Sequence, residues 1–188
     1  MGKVVLVCHF SDFMSGCELM PGNSVRGVFL SVVCFLFLRT RHLANLILCL
    51  NFISTWYMVG LIWMVQAVHY PLFSRVGAEH YVDYQQLHQK WITPVVGVPM
   101  IVELVTAILL LKYLPSTASP SLVWVALGLL IVVWLSTAFL QVPCHNQLSQ
   151  SFDEQAHRRL VSSNWIRTVS WTLRGAILAW LVLGNRSG

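Results

Sequence analysis

The chain has 188 residues, of which 56% are hydrophobic and 10% are charged, and its formal net charge is +5 at pH 7. A soluble domain carries about 25% charged residues, so this chain lacks the charged surface that a water-soluble globular protein needs. The 12 basic residues are scattered along the sequence. We therefore expect no nucleic-acid partner and assign the positive charge to helix ends that anchor at a lipid bilayer.

The first 42 residues differ from the rest of the chain. An apolar run over residues 27–38 is too short to cross a bilayer, and it is followed by Arg39, Thr40, Arg41 and His42. Three interpretations fit: a signal-like segment that lacks a small-residue cleavage site, an extra partial helix that runs into the first long helix, or a mostly disordered tail upstream of the natural start. We favour the third.

Four apolar segments follow, and each approaches the 20 or so residues that cross a bilayer as a helix. They predict an all-α fold, a membrane four-helix bundle occupying residues 43–184, followed by a polar tail over residues 185–188. The predicted helices cover residues 43–68, 92–111, 121–140 and 166–183.

Two longer loops, residues 69–91 and 141–165, leave the helices on the same side, which we call the long-loop end. Both contain apolar side chains at helical spacing, so we expect a short amphipathic helix lying along the membrane interface in each. These side chains are Tyr81, Tyr84, Leu87 and Trp91 in the first loop, and Phe152, Ala156, Leu160 and Val161 in the second.

The two loops also resemble each other. Gln66, His69 and Trp91 are followed 75, 76 and 74 residues later by Gln141, His145 and Trp165. This pattern indicates two similar helical hairpins related as a parallel repeat, with a chance match as the alternative.

Two ionisable residues interrupt the apolar helices. Glu103 lies near the middle of the second helix and Arg174 lies within the fourth, at similar depths from the long-loop end. An ionisable group at bilayer depth is costly unless it faces the interior and finds a partner, so we predict an ion pair. The pair either locks the two helices together or forms a charged wall for a ligand or a proton path.

Other polar side chains recur at helical spacing and should face the interior, because lipid offers them no hydrogen bonds. They converge toward the long-loop end and predict a ligand pocket there, although interhelical polar contacts also act as simple glue. The predicted pocket residues are Gln66, His69, Glu103, Gln141, His145, Asn164, Arg167 and Arg174.

Five of the seven histidines belong to the long-loop end. His69 and His145 occupy matching places in the two proposed repeats, where two imidazoles could ligate a haem or a metal ion. No CxxCH or HExxH motif accompanies them, and the five cysteines form no disulfide or zinc pattern. Catalytic residues cannot be assigned from these patterns.

Three functional hypotheses follow. The leading one is a binding or accessory membrane protein with a small-molecule or protein partner and no catalytic turnover of its own. The second is a haem- or metal-dependent redox or oxygenase-like enzyme that uses His69 and His145. The third is a carrier of a small solute or of protons that uses Glu103 and Arg174.

Residues 63–73, WMVQAVHYPLF, and residues 164–168, NWIRT, resemble uncharacterised bacterial four-helix membrane proteins. The resemblance covers about residues 43–183 and leaves the N-terminal segment unmatched. It implies the same fold and location in the bacterial inner membrane, and it implies no activity.

Overall fold

The computed structural model describes residues 25–115 and 118–184, with side chains from residue 38 onward. Within these ranges the chain is helical and contains no strand. Four long helices are present: α1 (Val25–Met64), α2 (Tyr81–Lys112), α3 (Pro120–Ser136) and α4 (Glu154–Gly184). The chain divides into two compact units, Met1–Arg39 and Thr40–Gly188, and all the contacts below belong to the second.

The predicted tails fall partly outside this description. Residues 1–24 and 185–188 lie outside the described residues. Residues 25–42 are part of α1, and the three interpretations of the first 42 residues stay predictions.

Four of the described helical stretches are long and apolar enough to cross a membrane, and they are Leu38–Arg75, Tyr81–Lys112, Pro120–Leu148 and Glu154–Gly184. At about 1.5 Å of rise per residue, each is longer than the roughly 30 Å of a hydrocarbon core.

The extra length lies largely at the long-loop end, where the structure differs from the prediction. The segments expected to form separate interfacial helices are instead the first turns of α2 and α4. No glycine or proline interrupts the chain between Tyr81 and Trp91, so nothing separates the polar turns from the apolar ones. At the start of α4, Asp153 Oδ1 accepts a hydrogen bond from the backbone N–H of Ala156 at 2.7 Å and caps the helix.

The two halves of the chain share a pattern of element boundaries. Helix α1 continues into a π-helical turn, Val65–His69, and α3 continues into another, Thr137–Gln141, 72 residues later. Each turn is followed by a short helix with a proline in its first turn, Tyr70–Leu72 and Val142–Leu148. In this register His69 matches Gln141 rather than His145, because the boundaries repeat at 72 residues and not at 74 to 76. A common origin of the two halves stays a prediction.

Two apolar clusters fill the interior, and a polar layer separates them. The cluster nearer the long-loop end includes Met58, Ile62 and Phe73. The cluster at the opposite end includes Leu48 and Leu178.

Candidate functional site

The polar layer is centred on Glu103 and Arg174, which are 0% and 1% exposed. The Arg174 Nε lies 3.4 Å from Glu103 Oε1, which confirms the predicted ion pair. Thr55 donates a hydrogen bond of 2.6 Å to the same carboxylate oxygen, and the Trp171 indole N–H donates one of 2.9 Å to the other. The carboxylate therefore has a donor on each oxygen besides its cationic partner.

The other two nitrogens of Arg174 also have hydrogen-bond partners. Its Nη1 donates to the backbone carbonyl of Ala126 at 2.6 Å, and its Nη2 donates to Asn51 Oδ1 at 2.8 Å. The Asn51 amide in turn donates to Thr106 Oγ1 at 2.7 Å. These contacts join all four helices, and none of these side chains has a buried polar atom without a partner. We call this set of side chains the closed layer, because its contacts hold the four helices together and leave none of its buried polar atoms unpaired.

Two glutamine side chains, Gln66 and Gln141, form hydrogen bonds to α4 between this layer and the long-loop end. Gln66 Oε1 accepts a hydrogen bond of 2.9 Å from Asn164, which joins α4 to the π-helical turn after α1. Gln141 Nε2 donates to Ser163 Oγ at 3.1 Å and its Oε1 accepts from Ser136 at 3.0 Å. The two glutamines thus hold corresponding π-helical turns against the same helix.

Three imidazoles meet at the long-loop end, and we call His69, His88 and His145 the histidine cluster. His69 Nε2 and His88 Nδ1 are 2.9 Å apart, and the rings of His88 and His145 have centroids 5.5 Å apart. The Phe73 ring, 0% exposed, contacts all three imidazoles. The cluster is therefore assembled around an aromatic side chain from the loop after α1.

Hydrogen bonds extend this cluster into the interior. The Tyr70 hydroxyl is 3.0 Å from His145 Nε2, and Gln85 Nε2 is 2.8 Å from His145 Nδ1.

Sequence reasoning missed Tyr70, Gln85 and His88. The spacing of Tyr81, Gln85 and His88 at i, i+4 and i+7 is a signal that could have found the α2 members, because it places them on one helix face.

This arrangement gives no support to the predicted haem or metal pair. His69 Nε2 is hydrogen-bonded to His88, and both ring nitrogens of His145 are engaged by Tyr70 and Gln85. In the part of the chain that the structure describes, no group of three or more His, Cys, Asp or Glu side chains could hold a metal ion.

A cavity of about 300 Å³ lies beside the histidine cluster, between the end of α1 and the first half of α2. Of the predicted pocket residues, only His69 lines this cavity. Its walls are almost entirely apolar, and the Leu87 and Trp91 side chains that border it are exposed on the outside. The lining residues are Met64, His69, Tyr84, Leu87, His88, Trp91, Ile92 and Val95.

Buried polar atoms without a hydrogen-bond partner are concentrated at the long-loop end. Six such side-chain atoms occur among the described residues: five belong to α2 and α4 at this end, and the sixth is Nε1 of Trp134 on α3, which packs against the apolar cluster nearer the same end. Leaving a buried polar atom unpaired costs about 1–3 kcal/mol, so this end has hydrogen-bonding capacity that the chain itself does not use. The five atoms are Tyr81 Oη, Gln85 Oε1, His88 Nε2, Asn164 Oδ1 and Arg167 Nε.

The predicted pocket residues therefore divide into three groups. Glu103 and Arg174 belong to the closed layer, whereas His145, Asn164 and Arg167 belong to the part with spare hydrogen-bonding capacity. The third group links neighbouring helices around the part with unpaired polar atoms, and it consists of Gln66, Gln141 and His69.

Comparison with known proteins finds no counterpart: no protein-family model, no curated protein and no solved structure matches this chain. Over the described residues, the fold and the site define a class of protein: a helical bundle with four helices of membrane-spanning length, a closed polar layer and a polar interior at one end.

Proposed function

We propose that this chain is a multi-pass membrane protein that binds a small molecule in the polar interior of its long-loop end and has no catalytic turnover of its own. The observation that carries the proposal is the contrast between the two polar regions. The layer around Glu103 and Arg174 is fully paired, while five buried polar atoms at the long-loop end have no partner within the described residues.

Residence in a membrane is supported by which side chains face outward. The exposed positions of α2 include Val98, Ile101, Val105 and Ile108, whereas Glu103 on the same helix is fully buried. Soluble proteins show the reverse distribution, because charged groups stay in water and are almost never fully buried unless paired.

Tryptophan positions agree with this placement. Trp165 and Trp180 are both exposed on α4, and 15 residues of helix separate them by about 22 Å. Tryptophan is enriched at both membrane interfaces, where its ring sits at the level of the lipid head groups. We therefore place the apolar middle of α4 in hydrocarbon, and the turns of α4 before Trp165 at or beyond the interface.

Binding is favoured over catalysis by the chemistry of the histidine cluster. No hydrogen bond links a carboxylate to these imidazoles within the described ranges, and their partners are Tyr70, Gln85 and one another. Cys144 adjoins His145 in sequence but is buried. Among the described residues, therefore, no carboxylate holds an imidazole of the cluster as a general base, and no hydrogen bond pairs the Cys144 thiol with a base.

The carrier hypothesis has less support than binding. A carrier residue must exchange its partner during transport, yet Glu103 is held by Thr55, Trp171 and Arg174 in a layer that spans all four helices. Proton flux in liposomes that is unchanged by Glu103→Gln would count against this alternative.

The proposal is tested through Cys144, which is 4% exposed and lies at the long-loop end. A chain that retains only this cysteine is purified in dodecyl maltoside and treated with methyl methanethiosulfonate. If small molecules enter the polar interior, Cys144 should react about tenfold or more faster than a cysteine in the closed part, because thiol reactivity follows access.

The matched control is a chain whose only cysteine is introduced by Ala107→Cys, at a position 3% exposed beside the closed layer. Equal, slow modification of both cysteines would overturn the proposal, because the polar interior would then be as inaccessible to small molecules as the closed layer.

A further inference from the structure

Arg167 is a buried cation without a counter-charge. It is 5% exposed and its Nε has no hydrogen-bond partner. Ion pairs between described side chains are Glu79–His80, Glu154–Arg158 and Glu103–Arg174, and none of them includes Arg167.

The neighbours of Arg167 are aromatic or neutral. Its guanidinium carbon lies 5.2 Å from the centroid of the Trp171 ring and beside the Tyr70 hydroxyl. Tyr70 is itself bonded to His145. One turn earlier on α4, Asn164 bonds to Gln66 and keeps its own carbonyl oxygen unpaired. These groups offer hydrogen bonds and a ring face, but no negative charge.

The other buried arginine of α4 shows what this environment lacks. Arg174 is 1% exposed and has a carboxylate, an amide oxygen and a backbone carbonyl as partners. A buried charge is retained in proteins when it is paired, because desolvation of an isolated ion is costly. Helix α4 therefore carries one guanidinium that is paired with the Glu103 carboxylate of α2 and another that has no counter-ion.

We infer that the ligand of the long-loop end carries an oxyanion, a carboxylate or phosphate group, that pairs with Arg167. This inference rests on the proposed function. A guanidinium matches an oxyanion because its planar N–H groups can donate two parallel hydrogen bonds. The Tyr70 hydroxyl lies within the same group of contacts and supplies a further donor.

The test compares benzoate with benzamide, which have nearly the same shape and differ in charge. Binding to the full chain in dodecyl maltoside is measured by titration calorimetry, with inorganic phosphate as a second oxyanion probe. Benzoate should bind about tenfold or more tightly than benzamide, because only benzoate forms a charge-assisted pair.

Variants assign the effect to one residue. Arg167→Gln should remove the preference for benzoate, whereas Arg167→Lys should retain the charge, the fold and part of the preference while losing the bidentate geometry. Arg159→Gln is the matched control, since Arg159 is an exposed arginine of the same helix, and it should bind benzoate as the unmodified chain does.

A second measurement in phosphatidylcholine nanodiscs distinguishes the source of the oxyanion. Benzoate binding in both media indicates a free anion as the ligand. Binding in maltoside alone indicates that a lipid phosphate occupies Arg167 in the bilayer, which also supports the pairing.

Equal affinity for benzoate and benzamide, or a preference that survives Arg167→Gln, would overturn the inference. If Cys144 is still readily modified, the proposed binding site stands and only the charge of its ligand is wrong. A chain that binds neither probe and protects Cys144 would contradict both proposals.

Discussion

Arg167 and Arg174 lie two helical turns apart on the same face of α4, and Trp171 lies between them. The Trp171 indole N–H donates to Glu103, the partner of Arg174, while its ring packs against the guanidinium of Arg167. One side chain therefore separates a closed polar layer from a polar interior with unpaired atoms.

The first prediction concerns the Glu103–Arg174 pair. Glu103→Gln keeps the shape of the side chain but leaves the Arg174 guanidinium buried without a counter-charge, and it should lower the free energy of unfolding by about 3–5 kcal/mol. Unfolding in mixed detergent micelles measures this. Glu154→Gln, which breaks the exposed pair with Arg158, should change stability by less than about 1 kcal/mol. Similar effects of the two changes on stability would contradict a stabilising role for the Glu103–Arg174 pair.

A second prediction isolates the indole N–H. Trp171→Phe keeps an aromatic ring but removes the donor to the Glu103 carboxylate, so it should destabilise the protein by about 1.5–3 kcal/mol. Trp134→Phe removes a buried indole N–H that has no partner and should cost clearly less. If both tryptophan variants unfold at the same point, the hydrogen bond to Glu103 does not contribute.

The third prediction concerns the close approach of α1 and α4. A Cβ at Gly175 would lie 3.2 Å from a Val59 methyl carbon and 3.5 Å from the Trp56 ring. Gly175→Leu must push the helices apart, and it should destabilise the protein by about 1–3 kcal/mol. A Cβ at Gly128 on α3 has nothing within 4 Å, so Gly128→Leu should be tolerated. Thermal unfolding of both variants decides the matter.

The fourth prediction addresses the histidine cluster. His145→Phe fills the space of the imidazole but leaves the Tyr70 hydroxyl and the Gln85 amide without the partner that joins them. Each lost partner should cost about 1–3 kcal/mol, and Cys144 should become more reactive as the loop after α3 loosens. His80→Phe alters an exposed imidazole whose side chain is 79% accessible and should change neither property.

The segments predicted as separate interfacial helices show why α2 and α4 begin earlier in the chain than the sequence predicted. Hydropathy detects where a helix is apolar enough for lipid, and it gives no signal for polar turns such as those before Trp91. Backbone hydrogen bonding continues through those turns because no breaker interrupts them. The π-helical turns after Met64 and Ser136 were not predicted either. They contain Gln66 and Gln141, whose contacts with α4 only the tertiary structure shows.

The sequence alone determined that four apolar helices are present, and that Glu103 and Arg174 within them face inward and meet. Those conclusions follow from helix periodicity and from the high cost of unpaired charge in an apolar environment. Only the tertiary structure decided that His88 rather than His145 pairs with His69, and that Arg167 has no counter-charge. Both depend on how side chains of different helices are directed toward one another, and sequence spacing does not specify those directions.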